Sequence, residues 1–120
     1  MTEVLFAAKM VKRDNHVRIG EQDMPILIVK SQDRGDFRFD LDQSELVIGR
    51  NVDCDLVLPH LSVSREHAMI KKTDLGFELI DMKSNNLVIV NEQQVVRRML
   101  EDKDEIILGM FSLIFCMEKD

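Results

Sequence analysis

Tryptophan and tyrosine are missing from the sequence, so the aromatic part of any core falls to six phenylalanines, with eight methionines available to fill gaps. Only two cysteines occur, Cys54 and Cys116, far apart and without a C-x-x-C spacing. That argues against zinc and leaves two reduced, buried thiols in a cytoplasmic protein as the expectation. No signal peptide is visible and no apolar run approaches membrane-spanning length, so neither export nor a membrane partner is expected. Basic excess is lacking too: 16 Lys and Arg stand against 22 Asp and Glu, a net charge of -6. Nucleic acid usually demands a basic face and is therefore not expected as a partner, although a local cationic pocket remains compatible with this balance. There is no G-x-S-x-G elbow, and Asp53, Asp55, Asp81 and Asp104 show neither EF-hand nor zinc spacing. They read as turn and strand-end residues, so no metal, cofactor or catalytic residue is expected.

A chain of 120 residues, 45% apolar, is expected to form one globular domain with a real core. Residues 1–24 read as an N-terminal extension. Val4, Leu5, Ala8 and Val11 recur at helical spacing, and Asp14, Asn15 and Gly20 follow as turn or linker. Residues 25–120 read as the domain proper, and the texture there is all-β. PILIVK is a short apolar run suited to a strand buried on both faces. In FRFDL, Phe37, Phe39 and Leu41 alternate with Arg38, Asp40 and Asp42. Arg34-Gly35-Asp36 between them is turn chemistry. ELVIG, DLVL, HAMIKK, GFELI, LVIV, QQVV, EIILG and FSLIFCM follow at short intervals, and many short strands with frequent turns mean a β-sandwich or barrel.

The stretch with chemistry in it runs from Gly49 to His67. Gly49-Arg50 closes one apolar run, and Ser64-Arg65-Glu66-His67 precedes another. A guanidinium, a second cation and a hydroxyl carried into neighbouring loops make an oxyanion site. Ser84-Asn85-Asn86 and Asn91 add amides able to hold a peptide backbone. The Ser64–His67 spacing also invites a hydrolase reading. In an extended segment it points the two side chains to opposite faces, and in a turn they meet.

GR, then D-x-x-L, S-R-x-H, D-x-x-S-x-N and V-N in register resemble the forkhead-associated (FHA) domain, over about residues 25–117. The resemblance implies a β-sandwich of two antiparallel sheets whose loops converge at one end to bind phosphothreonine peptides. Arg50, Ser64 and Arg65 match the phosphate contacts, Asn86 the hold on the peptide backbone, and Asn85 the neighbour of the phosphothreonine. Gly49, His67 and Asn91 match architectural residues that support the site. Ser62 falls where the family tends to read the residue three after the phosphothreonine. The implied role is a signalling sensor or adaptor without catalysis, fed by an upstream Ser/Thr kinase and recognising its partner in cis or in trans. One ligand lies within the chain: Thr2, one of only two threonines, near a terminus where access is expected.

The chain departs from the family where glycines are usual, with Leu87 after Asn86, Glu92 after Asn91, and Lys103 before Asp104. A left-handed turn stays open at Asn86 or Glu92, comfortable only for Asn, and the other expectation is a different turn at Glu92. Leu87 marks an unusual rim. The alternative to phosphothreonine reading is an FHA-fold module that binds a partner or itself without phosphate. One module of a larger signalling protein is a further reading of the whole.

Overall fold

The computed structural model describes residues 23–31, 35–82 and 87–119. Thr2 and the expected helical extension lie outside the described residues, as do Arg34, Asn85 and Asn86. Eleven strands make up the described elements: β1 (Asp23–Ser31), β2 (Gly35–Asp40), β3 (Glu45–Gly49), β4 (Leu56–Val57), β5 (Ala68–Thr73), β6 (Gly76–Asp81), β7 (Val88–Val90), β8 (Gln93–Val95), β9 (Arg97–Met99), β10 (Glu105–Leu108) and β11 (Phe111–Lys119).

They form the expected sandwich. One sheet has the order β2-β1-β11-β10-β7-β8 and the other β4-β3-β5-β6-β9. Period-two alternation supplies the core between them. In β11, Phe111, Leu113 and Phe115 are buried, while Ser112, Ile114 and Cys116 are only half-buried. Leu46 and Ile48 of β3, Ile70 of β5, Leu79 of β6 and Ile106 and Leu108 of β10 join them in one cluster. The apolar run of β1 lies one strand in from the edge of its sheet, paired with β2 and β11. Along β2 and just past its end the burial deepens, from exposed Phe37 through half-buried Phe39 to buried Leu41. Both thiols are free, but only Cys54 is fully buried.

One strand, β9, was not expected. Arg97, Arg98 and Met99 show no apolar alternation. As an edge strand it is held to β6 by pairing and by an Arg97–Glu78 ion pair at 3.1 Å. One pairing is parallel, β3 with β4, over Ile48↔Leu56 and Gly49↔Val57. Asp55 allows the chain to double back so tightly: its N–H donates to the Val47 carbonyl at 2.9 Å and its carboxylate accepts the Val47 N–H at 2.8 Å.

Among the described residues two polar side chains are buried, His67 and Asp104, and each organises one end of the sandwich. At the end away from Arg50, Asp104 accepts the Asn91 side-chain amide at 2.8 Å and the Glu101 N–H at 2.8 Å, and pairs with Arg98 at 3.4 Å. The adjoining β7–β8 hairpin turns on Asn91 (φ 50) and Glu92 (φ 73). Glu92 therefore adopts the left-handed turn, though it is comfortable only for Asn, because Val90↔Gln93 pairing leaves two residues to make the turn and forces φ > 0 at both. Left-handed backbone costs an L-residue about 1–2 kcal/mol, of which glycine's extra freedom when unfolded returns part. Glu92→Gly is expected to stabilise the fold by about 0.5–1 kcal/mol and to raise Tm by a few degrees in a thermal melt.

Candidate functional site

Gly49 brings two loops into contact. The Arg50 N–H donates to the Ser64 carbonyl at 3.0 Å, the Asn51 N–H to the Arg65 carbonyl at 3.1 Å, and the His67 N–H to the Ile48 carbonyl at 2.8 Å. A β-carbon at Gly49 would overlap the Arg65 carbonyl and crowd Glu66 Cα at 2.9 Å. The obstacle is backbone, which cannot swing aside. Gly49→Ala is expected to cost about 3 kcal/mol, read as a lower denaturant midpoint at unchanged slope.

Arg50 is half-buried, and its Nε donates to the Val63 carbonyl at 3.0 Å. The main chain runs from that carbonyl straight into Ser64. By standard covalent geometry the Arg50 Nε therefore stands no more than roughly 8 Å from the Ser64 hydroxyl. A phosphate accepting one hydrogen bond of about 2.8 Å on each side spans a gap of about that width. The terminal nitrogens of Arg50 carry no hydrogen bond among the described residues, and neither does the exposed Arg65 guanidinium. The structure thus holds Arg50 and Ser64 at one loop junction, with Arg65 next in the chain and tied to it through its carbonyl, which accepts the Asn51 N–H.

His67, fully buried, ties this place to a third loop. Its Nδ1 accepts the Ser64 N–H at 3.1 Å, which leaves the proton on Nε2 to donate to the Leu87 carbonyl at 3.2 Å. Its own carbonyl accepts the Met82 N–H at 3.0 Å. The Ser64–His67 segment is a turn, and the ring takes the serine's amide rather than its hydroxyl, so the pair is a brace and not a nucleophile with its base. Met82 and Leu87 bracket the segment that carries Asn85 and Asn86, which lie outside the described residues. Asn91 stands elsewhere. It is at the far end of β7, where its Oδ1 accepts the Glu105 N–H at 3.0 Å, so it supports the opposite end of the sandwich.

Ser62 is occupied by the fold. Its Oγ accepts the Met110 N–H at 3.0 Å and donates to His60 Nδ1 at 2.9 Å, and a β-carbon at Gly109 (φ 60) would meet the same oxygen. Cys54, read only as a buried thiol, takes part as well: its S–H donates to the Arg65 carbonyl at 3.2 Å. Burial pushes the Cys54 thiol above its ordinary pKa against a hydrogen bond with Asn51 that lowers it, and the charges of Glu66, Asp55 and Asp53 raise it further. The thiol stays protonated and keeps donating. Much of what builds the site is main chain, which residue types do not reveal. Among the described residues no group of three or more His, Cys, Asp or Glu could hold a metal ion, and no helix is long and apolar enough to cross a membrane.

Comparison with known proteins gives this arrangement relatives. The family model described as the FHA domain matches residues 46–109. The oxoglutarate dehydrogenase inhibitor of Corynebacterium jeikeium is 36% identical over 90 residues, 75% of this chain and 62% of that protein. The glycogen accumulation regulator GarA of Mycobacterium tuberculosis is likewise 36% identical over 90 residues, 75% of this chain and 56% of that one. The chain therefore spans less than two thirds of the length of these curated relatives. Among solved structures it resembles a domain studied for phosphothreonine-dependent FHA interactions, at TM-score 0.70 and 29% identity over 79% of this chain and 99% of that one. The matched span opens at Leu46 in β3 and closes at Gly109 beyond β10, so it takes in the Gly49-Arg50 corner, the Ser64–His67 turn and the β6–β7 connection together, and the chain belongs to the FHA domain family.

Proposed function

We propose that residues 25–120 form a phosphothreonine-peptide reader serving as a sensor or adaptor, with residues 1–24 as its extension. The observation that supports this most directly is the pair of hydrogen bonds from Arg50, main chain to Ser64 and Nε to Val63, which hold a permanent cation beside a serine at a loop junction. In this reading Arg50 forks two phosphate oxygens and the Ser64 hydroxyl and Arg65 complete the shell. Asn86 and Asn85 hold the peptide backbone and the residue itself. A phosphothreonine brings roughly -1.5 to -2 charge and three acceptor oxygens, and each hydrogen bond to a charged group contributes about 1.5–3 kcal/mol. Two or three such bonds, less the entropy of ordering a peptide, suggest micromolar affinity. A Ser/Thr kinase creates the ligand, a phosphatase removes it, and the domain itself catalyses nothing. Relatives named as an inhibitor and a regulator fit an adaptor that acts by binding other proteins. A cytoplasmic setting, where kinases have their ATP, belongs to the same reading.

Phosphorylated Thr2 is the nearest ligand. The segment from Thr2 to Asp23 can extend to about 70 Å at most, against a longest dimension of 43 Å for the domain, so it can reach the site in its own molecule or a neighbour's. The test is calorimetric titration with a peptide of residues 1–12, phosphorylated or not on Thr2. The phosphopeptide is expected to bind near micromolar and the unphosphorylated one at least about 100-fold more weakly. Equal affinities would overturn the reading and favour binding without phosphate.

A further inference from the structure

The apolar run of β1 supplies more than the core. Leu27 and Val29 belong to the core cluster, so by strand alternation Ile26 and Ile28 stand on the opposite, outer face of the six-stranded sheet. Strand pairing sets further apolar residues beside them on that face. Cys116 lies opposite Ile26, Ile114 opposite Ile28, and Ile107 of β10 opposite Ile89 of β7. Ile107 is the diagonal neighbour of Ile114, because Glu105 pairs with Ile114 and Ile106 with Leu113. These six side chains form one patch across β1, β11, β10 and β7, about 14 Å wide at the usual strand spacing. The water-facing side of an antiparallel sheet ordinarily carries polar residues instead.

What singles the patch out is Ile26. It is only 3% exposed, yet it stands outside the core cluster. Its partners on the outer face are Asp40, which is exposed, and Cys116, which is half-buried. Neighbours in the plane of a sheet leave the top of a side chain open, so they do not account for its burial. The corresponding row on the other sheet, Val47, Met69 and Ile80, is half-buried throughout.

We propose that residues 1–13 form an amphipathic helix that docks on this outer face and covers Ile26, Ile28 and Ile114. Position, pattern and length support that occupant. The segment leads straight into β1, with Asp23 three residues before Ile26. Val4, Leu5, Ala8 and Val11 give it an apolar stripe at helical spacing, with Glu3, Lys9 and Arg13 off the stripe. A helix of that length spans about 20 Å, enough to cross the patch, and residues 14–22 can extend about 30 Å, enough to double back from β1. A helical layer on a sheet face is also the ordinary way to bury two such stripes at once. A second copy pressed face to face would cover the patch but leave the stripe of residues 1–13 in water. Docking needs no phosphate, and it stands whether or not the Arg50 site reads one.

The test is amide hydrogen exchange with a thermal melt on the full unphosphorylated chain. Residues 4–11 are expected to exchange at least about tenfold more slowly than a coil. Leu5→Asp, placed outside the domain so that its folding is spared, is expected to abolish that protection and to lower Tm by about 3–6 °C. The double variant Ile28→Thr, Ile114→Thr keeps β-branched residues in the strands and is expected to release residues 4–11 in the same way. Coil-like exchange of residues 4–11 in the native chain overturns the proposal, and so does protection that survives either variant. Protection that disappears on dilution, together with a dimer that dissociates, overturns it in favour of a second copy on the face.

Discussion

Arg50→Ala is expected to lower the affinity for a phosphothreonine peptide by about 100-fold to 10,000-fold while leaving the fold nearly unchanged. The binding loss follows from two hydrogen bonds to a dianion, each contributing about 1.5–3 kcal/mol, where every 1.4 kcal/mol is tenfold. The small effect on stability follows from the guanidinium's single bond among the described residues, Nε to the Val63 carbonyl at 3.0 Å. Losing that bond at a half-buried position costs about 1 kcal/mol. The main-chain bond from Arg50 to Ser64 survives the substitution, so the two loops stay together. Arg50→Lys is a useful companion, since it keeps the charge and loses the fork. Calorimetric titration alongside a denaturant melt separates the outcomes: full affinity in the alanine variant would remove Arg50 from the site, and a collapsed melt would make it a structural residue.

His67→Ala is expected to destabilise the domain by about 4 kcal/mol and to take peptide binding with it. The imidazole is buried and accepts from Ser64 on one side while donating to Leu87 on the other, at 3.1 and 3.2 Å. Removing it takes a partner from the Ser64 N–H and the Leu87 C=O, both part-buried, at a cost of about 1–3 kcal/mol together, and leaves a cavity at a fully buried position besides. The loop carrying Ser64 would then lose its tie to the β6–β7 connection. Chemical denaturation should show a lower midpoint, and titration should show weakened binding even under conditions where the variant is folded. An unchanged midpoint would mean that the main-chain bonds from Ile48 and Met82 hold the loops alone. Gly49→Ala acts on the same junction by a different route, pushing the Arg65 carbonyl away instead of removing a brace.

Strand after strand was legible because period-two alternation leaves a trace in residue type. Leu46 and Ile48, Phe111, Leu113 and Phe115, and Ile106 and Leu108 all declare a buried face. The strand without that trace, Arg97–Met99, escaped notice because charge pairing holds it at an edge. The turn at Glu92 stayed open for a related reason. Its side chain argues against a left-handed turn, but the pairing of Val90 with Gln93 leaves the backbone no other course. Asn91 was placed with the site by motif and stands at the other end, bonded to Asp104 and Glu105.

From residue order alone came the strands, the family and the polar side chains that matter, because alternation, turn chemistry and motif spacing are local properties of the chain. Convergence could come only from folding. That Arg50 meets Ser64, that the His67 ring finds the Ser64 amide and the Leu87 carbonyl, and that Ser62 finds the Met110 amide all depend on bonds to main-chain groups, most of them between segments distant in sequence. Such bonds are made by groups that every residue carries, and so they leave no mark in the order of the side chains.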